Sequence, residues 1–252
     1  MLRLRDLDLE RHLADPALKP KFVTPMFDLI APRYDDFTRL FSFGMDATWK
    51  RSLVAHAVAA TRDPRQALDL ACGTGDLAMA VADACPAVSV TGVDPAREML
   101  ALARARSAAG ERGTADRIAY REGDMNALAA AATSVDLVTV GYGFRNSELG
   151  AALSECARVV KSGGILAVLD FYRPESALWR ALFLGYLRAA GNLVGWWWHR
   201  EPVAYGYIAH SIEGYVSVGG FTRAAADAGF DPVSIERHLG GGVGMHVLRR
   251  RG

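Results

Sequence analysis

The stretch Ala67 to Ala78, ALDLACGTGDLA, decides how this chain is read. It passes from alternating apolar residues into two glycines, with Asp69 before them and Asp76 after. Glycines that follow a strand let a ligand approach bare backbone, and Gly73 and Gly75 can turn tightly without a Cβ in the way. In open α/β sheets ligands sit outside the C-terminal strand ends, where the strand order reverses. The loop therefore marks the mouth of a binding site.

Outward from the loop, short β-rich runs alternate with helical ones. Residues 66–71 read as the first strand, followed by a helix from about Thr74–Asp76 to Asp83. VSVTGVD (88–94) is a second strand, and residues 95–110 form a helix with proline in its first turn. RIAYREGD (117–124) is a third strand, and VDLVTVGYG (135–143) a fourth, apolar enough to be buried on both faces. Residues 148–161 read as a helix ended by Ser162-Gly163-Gly164, before a fifth strand at 165–171. After a helix at 221–230, strands at 231–239 and 243–250 are joined by Gly240-Gly241-Gly242 as an antiparallel hairpin. This order predicts an α/β fold, a seven-stranded, mostly parallel sheet with helices on both faces. Residues 1–65 read as a helical cover over the strand ends, and 173–214 as an insertion on the substrate side. Neither has a core of its own, so 1–252 is expected to be a single domain.

Composition narrows the function. The 252 residues carry a net charge of +1, which argues against a nucleic-acid partner. Cys72, Cys85 and Cys156 are odd in number and widely spaced, so neither a metal site nor a disulfide framework is expected, and a reducing cytoplasm fits. The N-terminal MLRLRDLDLERHL lacks the apolar core of a signal peptide, and no uncharged run reaches bilayer length.

The loop's charge bears on its ligand. Gly73-x-Gly75-x-x-Ala78 matches the loose dinucleotide fingerprint. Yet a pyrophosphate would meet Asp69 and Asp76 in a partly desolvated site. S-adenosylmethionine has adenine and ribose but no phosphate, and it carries an ammonium and a sulfonium. Asp69 and loop carbonyls suit that cationic end. Asp94, nineteen residues after Gly75, can accept the ribose hydroxyls, and Gly123-Asp124 can meet the adenine edge. The closing hairpin also suits a methyltransferase better than a dehydrogenase. Met99 reads equally well as an adenine contact or as core filling.

With these residues in view, the chain resembles the ubiquinone/menaquinone biosynthesis C-methyltransferases of the demethylmenaquinone methyltransferase type. The segments that carry the resemblance are MFDLIAPRYDDFTRLFSFGMDATWKR (26–51), LDLACGTGDLA, GVDPAREML, GYGFRN (141–146), LDF, YGYIAHSI and GGGVGMH. The resemblance implies a class I S-adenosylmethionine-dependent methyltransferase (Rossmann-like) fold and methyl transfer to a ring carbon of a prenylated quinol. It implies Thr74, Asp94, Asp124, Met125 and Gly141 as cofactor contacts beside Asp69, Gly73 and Gly75. Asp170 stands where the family usually has glutamate, which reads as drift without bearing on the chemistry.

Carbon methylation requires a quinol, whose hydroxyl has a pKa of about 10 as a phenol. Arg145 is expected to stabilise the phenolate as a fixed positive charge, with Asn146 orienting the same oxygen and Tyr34 bonding the ring hydroxyl. Arg145 can instead pair with a carboxylate such as Glu148. His210 suits proton transfer by its ordinary pKa, but a lone helical histidine is more often structural, as is His199. Trp179, Leu182, Phe183, Tyr186, Leu187 and Ala190 follow helical spacing before Trp196-Trp197-Trp198. This segment reads either as packing or as a prenyl-tail or membrane-surface contact, at the inner face of the membrane. A homodimer is compatible with the sequence. The rival readings are a methyltransferase of another phenol, a dehydrogenase, and a non-catalytic S-adenosylmethionine-binding protein.

Overall fold

The computed structural model describes residues 19–42, 44–110, 114–199 and 203–252. Among the described residues the first α-helices are α1 (Lys19–Ile30), α2 (Tyr34–Phe41) and α3 (Asp46–Thr61). The alternating region follows as β1 (Gln66–Leu70), α4 (Asp76–Ala84), β2 (Ser89–Asp94), α5 (Arg97–Ala109), β3 (Ile118–Glu122), β4 (Val135–Gly141), α6 (Leu149–Val159) and β5 (Val160–Phe171). The insertion holds α7 (Ala177–His199) and α8 (Val203–Glu213). The chain then closes with α9 (Val218–Asp227), β6 (Phe230–His238) and β7 (Val243–Arg250).

The strands form one seven-stranded sheet in the order β3-β2-β1-β4-β5-β7-β6. β1 to β5 pair in parallel, while β7 runs antiparallel to both β5 and β6. This is the expected class I S-adenosylmethionine methyltransferase architecture, hairpin included. The chain order reverses between β1 and β4, so the crevice opens where their C-terminal ends part.

Two expected boundaries are wrong. The helix expected at 221–230 runs from Val218 to Asp227, and Phe230 already begins β6. Ser162-Gly163-Gly164 does not end its helix, because α6 stops at Val159 and β5 begins at once. The glycines instead bulge the strand, with Val135 paired to Val160 and Leu137 already to Ile165. Gly163 sits at φ +76°, and a Cβ on Gly164 would come within 3.0 Å of the Asp136 carbonyl. The residues suit a bulge for the same reason they suit a helix end: both need positive φ and close backbone approach.

Two cores flank the sheet. On one face α3 and α4 bring Trp49, Leu53, Leu77 and Val81 against Leu137 and Leu169. On the other, α6 and α9 bring Leu153, Cys156 and Phe221 against Val138, Leu166 and Phe230. A third core joins Phe22, Met26 and Ile30 of α1 to Leu187 of α7, Tyr207 and Ile212 of α8, and Met99 of α5. The two appendages thus share one core and roof the strand ends. Residues 1–18 of the expected cover lie outside the described residues.

Candidate active site

β1 ends at Leu70, and the chain turns through Ala71 and Gly73, both at positive φ. The Gly73 N–H donates to Asp94 Oδ2 and the Ala96 N–H to Asp94 Oδ1, each at 2.8 Å, so one carboxylate pins the loop to the end of β2. Burial pushes the Asp94 carboxyl up to about 6, and the two N–H donors work against that rise. Asp69 is buried as well. Its oxygens accept the Ala78 N–H in the first turn of α4 (2.9 Å) and the Thr139 hydroxyl (2.8 Å), and burial pushes it up to about 7.

A cleft of about 870 Å³, open at its mouth, lies against these ends. Gly73, Asp94, Asp124, Met125 and Gly141 line it, with Asn126 and Met99. Met99 serves both readings, since it also belongs to the roof core. Asp94 and Asp124 are the charged side chains among the described lining residues, and none of those residues is basic. Gly73 presents open space on its Cβ side out to Tyr34, 4.0 Å away. Carboxylates, bare backbone and apolar walls fit a cationic nucleoside. They are poorly suited to a pyrophosphate.

Asp76 has to leave the charge argument. Its carboxylate is bound by Lys50 (2.8 Å) and Arg106 (2.7 Å), partners 26 and 30 residues away that the local sequence hides. Burial opposes its ionisation, but those cations outweigh burial and lower its pKa. Lys50, Asp69, Thr74 and Asp76 line a small polar recess of about 330 Å³ beside the cleft. Thr74 itself is turned to Asp35 of α2, donating at 2.9 Å. Gly75 is a correction: it lines none of these cavities, and its missing Cβ makes room for the Tyr120 hydroxyl.

An apolar chamber of about 530 Å³ adjoins the cleft, walled by Met26, Phe27, Ile30, Phe171, Leu187 and Ile208. Tyr34 and Tyr142 line the chamber, the cleft and the polar recess alike, so the three meet at these two rings. Burial raises the Tyr34 pKa, and Lys50 and Arg145 pull it back.

Arg145 reaches the chamber, but not as the lone cation expected. Its Nη1 donates to Asp170 Oδ1 (2.9 Å) and to the Tyr142 carbonyl (2.6 Å). Asp170 is fully buried and holds the guanidinium charged against the cost of burial. Asp170 is therefore the partner that fixes Arg145, not drift. Glu148 instead caps α6 through the Gly150 and Ala151 N–H groups. Asn146 lines the cleft and not the chamber; it accepts the Tyr207 hydroxyl (2.6 Å) and donates to the Tyr142 carbonyl (3.3 Å). His210 lines neither cavity, and the side chain of His199 lies outside the described residues.

The ubiE/COQ5 methyltransferase family matches residues 16–250. The chain belongs to that family. It is 36% identical over 223 residues to a demethylmenaquinone methyltransferase of Thermus thermophilus, covering 88% of this chain and 98% of that one. It is 35% identical to a ubiquinone/menaquinone biosynthesis C-methyltransferase of Syntrophotalea carbinolica, covering 87% and 90%. In fold it is similar to a geranyl diphosphate C-methyltransferase from Streptomyces coelicolor (TM-score 0.60, 14% identity, 81% of this chain and 76% of that one). Fold and family are those of S-adenosylmethionine-dependent methyltransferases, which removes the dehydrogenase reading. Tyr142, Lys50, Asp46 and Phe171 escaped the sequence reading; the one local signal was Asp46 and Lys50 at i, i+4 in DATWK.

Proposed function

We propose that this chain methylates a ring carbon of a prenylated quinol, demethylmenaquinol or a close relative. One observation carries the reading. A cleft with carboxylates and no basic side chain opens, across Tyr34 and Tyr142, into a chamber walled by apolar and aromatic residues. The names of the Thermus and Syntrophotalea relatives support a quinone head group.

S-adenosylmethionine, when bound, supplies an electrophilic methyl group on a sulfonium. Asp94 would accept its ribose hydroxyls, while Asp124, Met125, Gly73 and Gly141 would wall the nucleoside. Lys50, Asp69 and Thr74 line the recess for its amino-acid end, where a cation and an acid suit a zwitterion. In the chamber, Phe171 and Tyr142, with ring centroids 5.1 Å apart, offer a face to a flat ring. Arg145, held by Asp170, biases the chamber toward the phenolate. Being half of an ion pair, it does so less than a lone cation would. Asn146 fixes the turn that carries Arg145 by bonding the Tyr142 carbonyl. Tyr34 is in place to donate to a ring hydroxyl.

A lipophilic tail also needs a route. The outer face of α7 carries Leu178, Leu182, Leu193, Trp196 and Trp197, each more than half exposed, on one side by the helical period. The inner face of the same helix puts Leu187 into the chamber wall. We assign the outer face to a membrane surface, as in a cytoplasmic protein that visits the inner leaflet. No helix among the described residues is long and apolar enough to cross a membrane.

The test is mass spectrometry of products formed from labelled S-adenosylmethionine and a panel of quinones, reduced and oxidised, tailed and untailed. Label on tailed quinols alone is the expected result. Label on untailed phenols, indifferent to reduction, would favour another phenolic substrate, and methyl-donor binding without any product would favour a non-catalytic protein.

A further inference from the structure

Tyr142 stands between Gly141 and Gly143 at φ +60°. A glycine would take that angle freely, whereas a bulky aromatic there is strained, and such strain collects at functional positions. Its N–H donates to the Leu169 carbonyl at 2.7 Å, and its own carbonyl accepts Arg145 Nη1 at 2.6 Å. Its hydroxyl donates to Asp46 Oδ1 at 2.8 Å, and the residue is 5% exposed.

Asp46 does not line the chamber. It lines a separate outer recess of about 860 Å³, together with Lys50 and Asp76. Tyr142 and Asp46 thus make a two-group hydrogen-bonded path from the chamber to a recess that opens to solvent. Lys50 Nζ sits 2.8 Å from Asp46 Oδ2. The other groups facing the pair are Tyr34 from α2, Asp76 from α4, and Arg145 with Asp170 along the chamber wall.

We propose that Tyr142 and Asp46 form the proton exit of the chamber, with Tyr142 the residue that receives the quinol proton. This rests on the quinol reading above. Replacing a ring hydrogen by a methyl from a sulfonium releases one proton overall, and the apolar residues that wall most of the chamber cannot accept it, so the Tyr142–Asp46 pair supplies the route. The quinol O–H bond breaks and its proton bonds to Tyr142 Oη. The Tyr142 hydroxyl proton passes to Asp46 Oδ1 in the same step, and the electron pair stays on the ring oxygen. Asp46 then gives its proton to water in the outer recess and recovers its charge. After methyl transfer the C–H bond at the methylated carbon breaks and that proton returns to the ring oxygen, so the product is again a quinol and one proton has left in all. Burial raises the Tyr142 pKa, but the tyrosine is neutral before and after, so this does not oppose the exchange.

The experiment compares the wild-type chain with Tyr142→Phe and Asp46→Asn, and with both together. Asparagine can still accept the Tyr142 hydroxyl bond but cannot take the proton, which separates relay from architecture. Single-turnover methylation of a reduced quinol is followed from pH 6 to 10, with S-adenosylmethionine affinity and melting temperature measured alongside. Each single variant is expected to lose about a hundredfold at pH 7.5 while keeping cofactor affinity. The loss should shrink as pH rises toward the quinol's own pKa of about 10, where hydroxide replaces the relay. The double variant should be no worse than either single one. Wild-type rates in both variants, or a loss that is uniform in pH, would overturn the relay. A wild-type chain that methylates no quinol would instead overturn the substrate reading, and the relay with it.

Discussion

The Asp94 carboxylate accepts two backbone N–H groups at 2.8 Å and is 7% exposed, yet burial holds its pKa near 6. A ligand hydroxyl donates to the ionised form, so protonation competes with cofactor binding. Affinity for S-adenosylmethionine should therefore fall as pH drops through about 6, approaching tenfold per unit from Asp94 in the limit, beside a separate dependence near 7 from Asp69. Asp94→Asn should bind weakly at pH 7.5 and lose the dependence near 6, keeping only that of Asp69 near 7. Calorimetric titration at four pH values decides it; a parallel slope in the variant would assign the dependence to another group. Asp94 was legible because a strand end and a spacing place it. The partner of Arg145 was not: Asp170 lies 25 residues away in the next strand, and only the β4–β5 register, Gly141 against Leu169, brings them together. Lys50 reaches Asp76 by the same kind of tertiary accident, invisible to a reading of neighbours along the chain.

Elements were legible wherever their period was strong and their ends unambiguous. β4, apolar almost throughout, is buried along nearly all its length. The α6–β5 junction misled because the glycine pair satisfies two different backbone needs. α7 is the harder case, since its apolar residues occupy both sides. Phe183, Leu184, Leu187 and Val194 are buried against the roof core. Leu178, at 74% exposure, and Trp197, at 71%, face outward. Periodicity finds the helix but cannot say which apolar side is covered, because that depends on α1 and α8. The uncovered side makes a prediction at this scale. Cosedimentation with anionic liposomes should fall several-fold in a Trp196→Ser, Trp197→Ser variant, with S-adenosylmethionine affinity and melting temperature retained. Equal cosedimentation of variant and wild type would leave the exposed face without a membrane role.

At the scale of the whole molecule, the alternation of strands and helices was enough for the sheet and its hairpin, since each βαβ unit is nearly local. The shared roof was not, because it joins residues near 25 to residues near 185 and 210. The same long-range packing sets how the fold answers acid. His246 of β7 is fully buried between the Tyr172 hydroxyl and the Thr222 hydroxyl, each 3.2 Å from a ring nitrogen, and desolvation lowers its pKa to about 4. Its folded value lies below the unfolded 6.5, so the neutral ring's contribution is complete above 6.5 and is lost as pH falls toward 4. The sum of that loss is on the order of 3 kcal/mol. Asp69 and Asp94 act in the opposite sense. Their folded values, about 7 and about 6, lie above the ordinary carboxylate range, so taking up a proton as pH falls through them favours the folded state. Wild-type stability between pH 7 and 4 thus sets one buried imidazole against buried acids, Asp170 among them, since burial raises its pKa too. His246→Gln keeps a polar group against both hydroxyls and removes the imidazole's share. Urea unfolding at pH 7, 5.5 and 4 should show this variant gaining on the wild type steadily as pH falls, by most of that 3 kcal/mol at pH 4. A constant difference between the two at all three pH values would mean that His246 titrates in the fold as it does unfolded, because water reaches it.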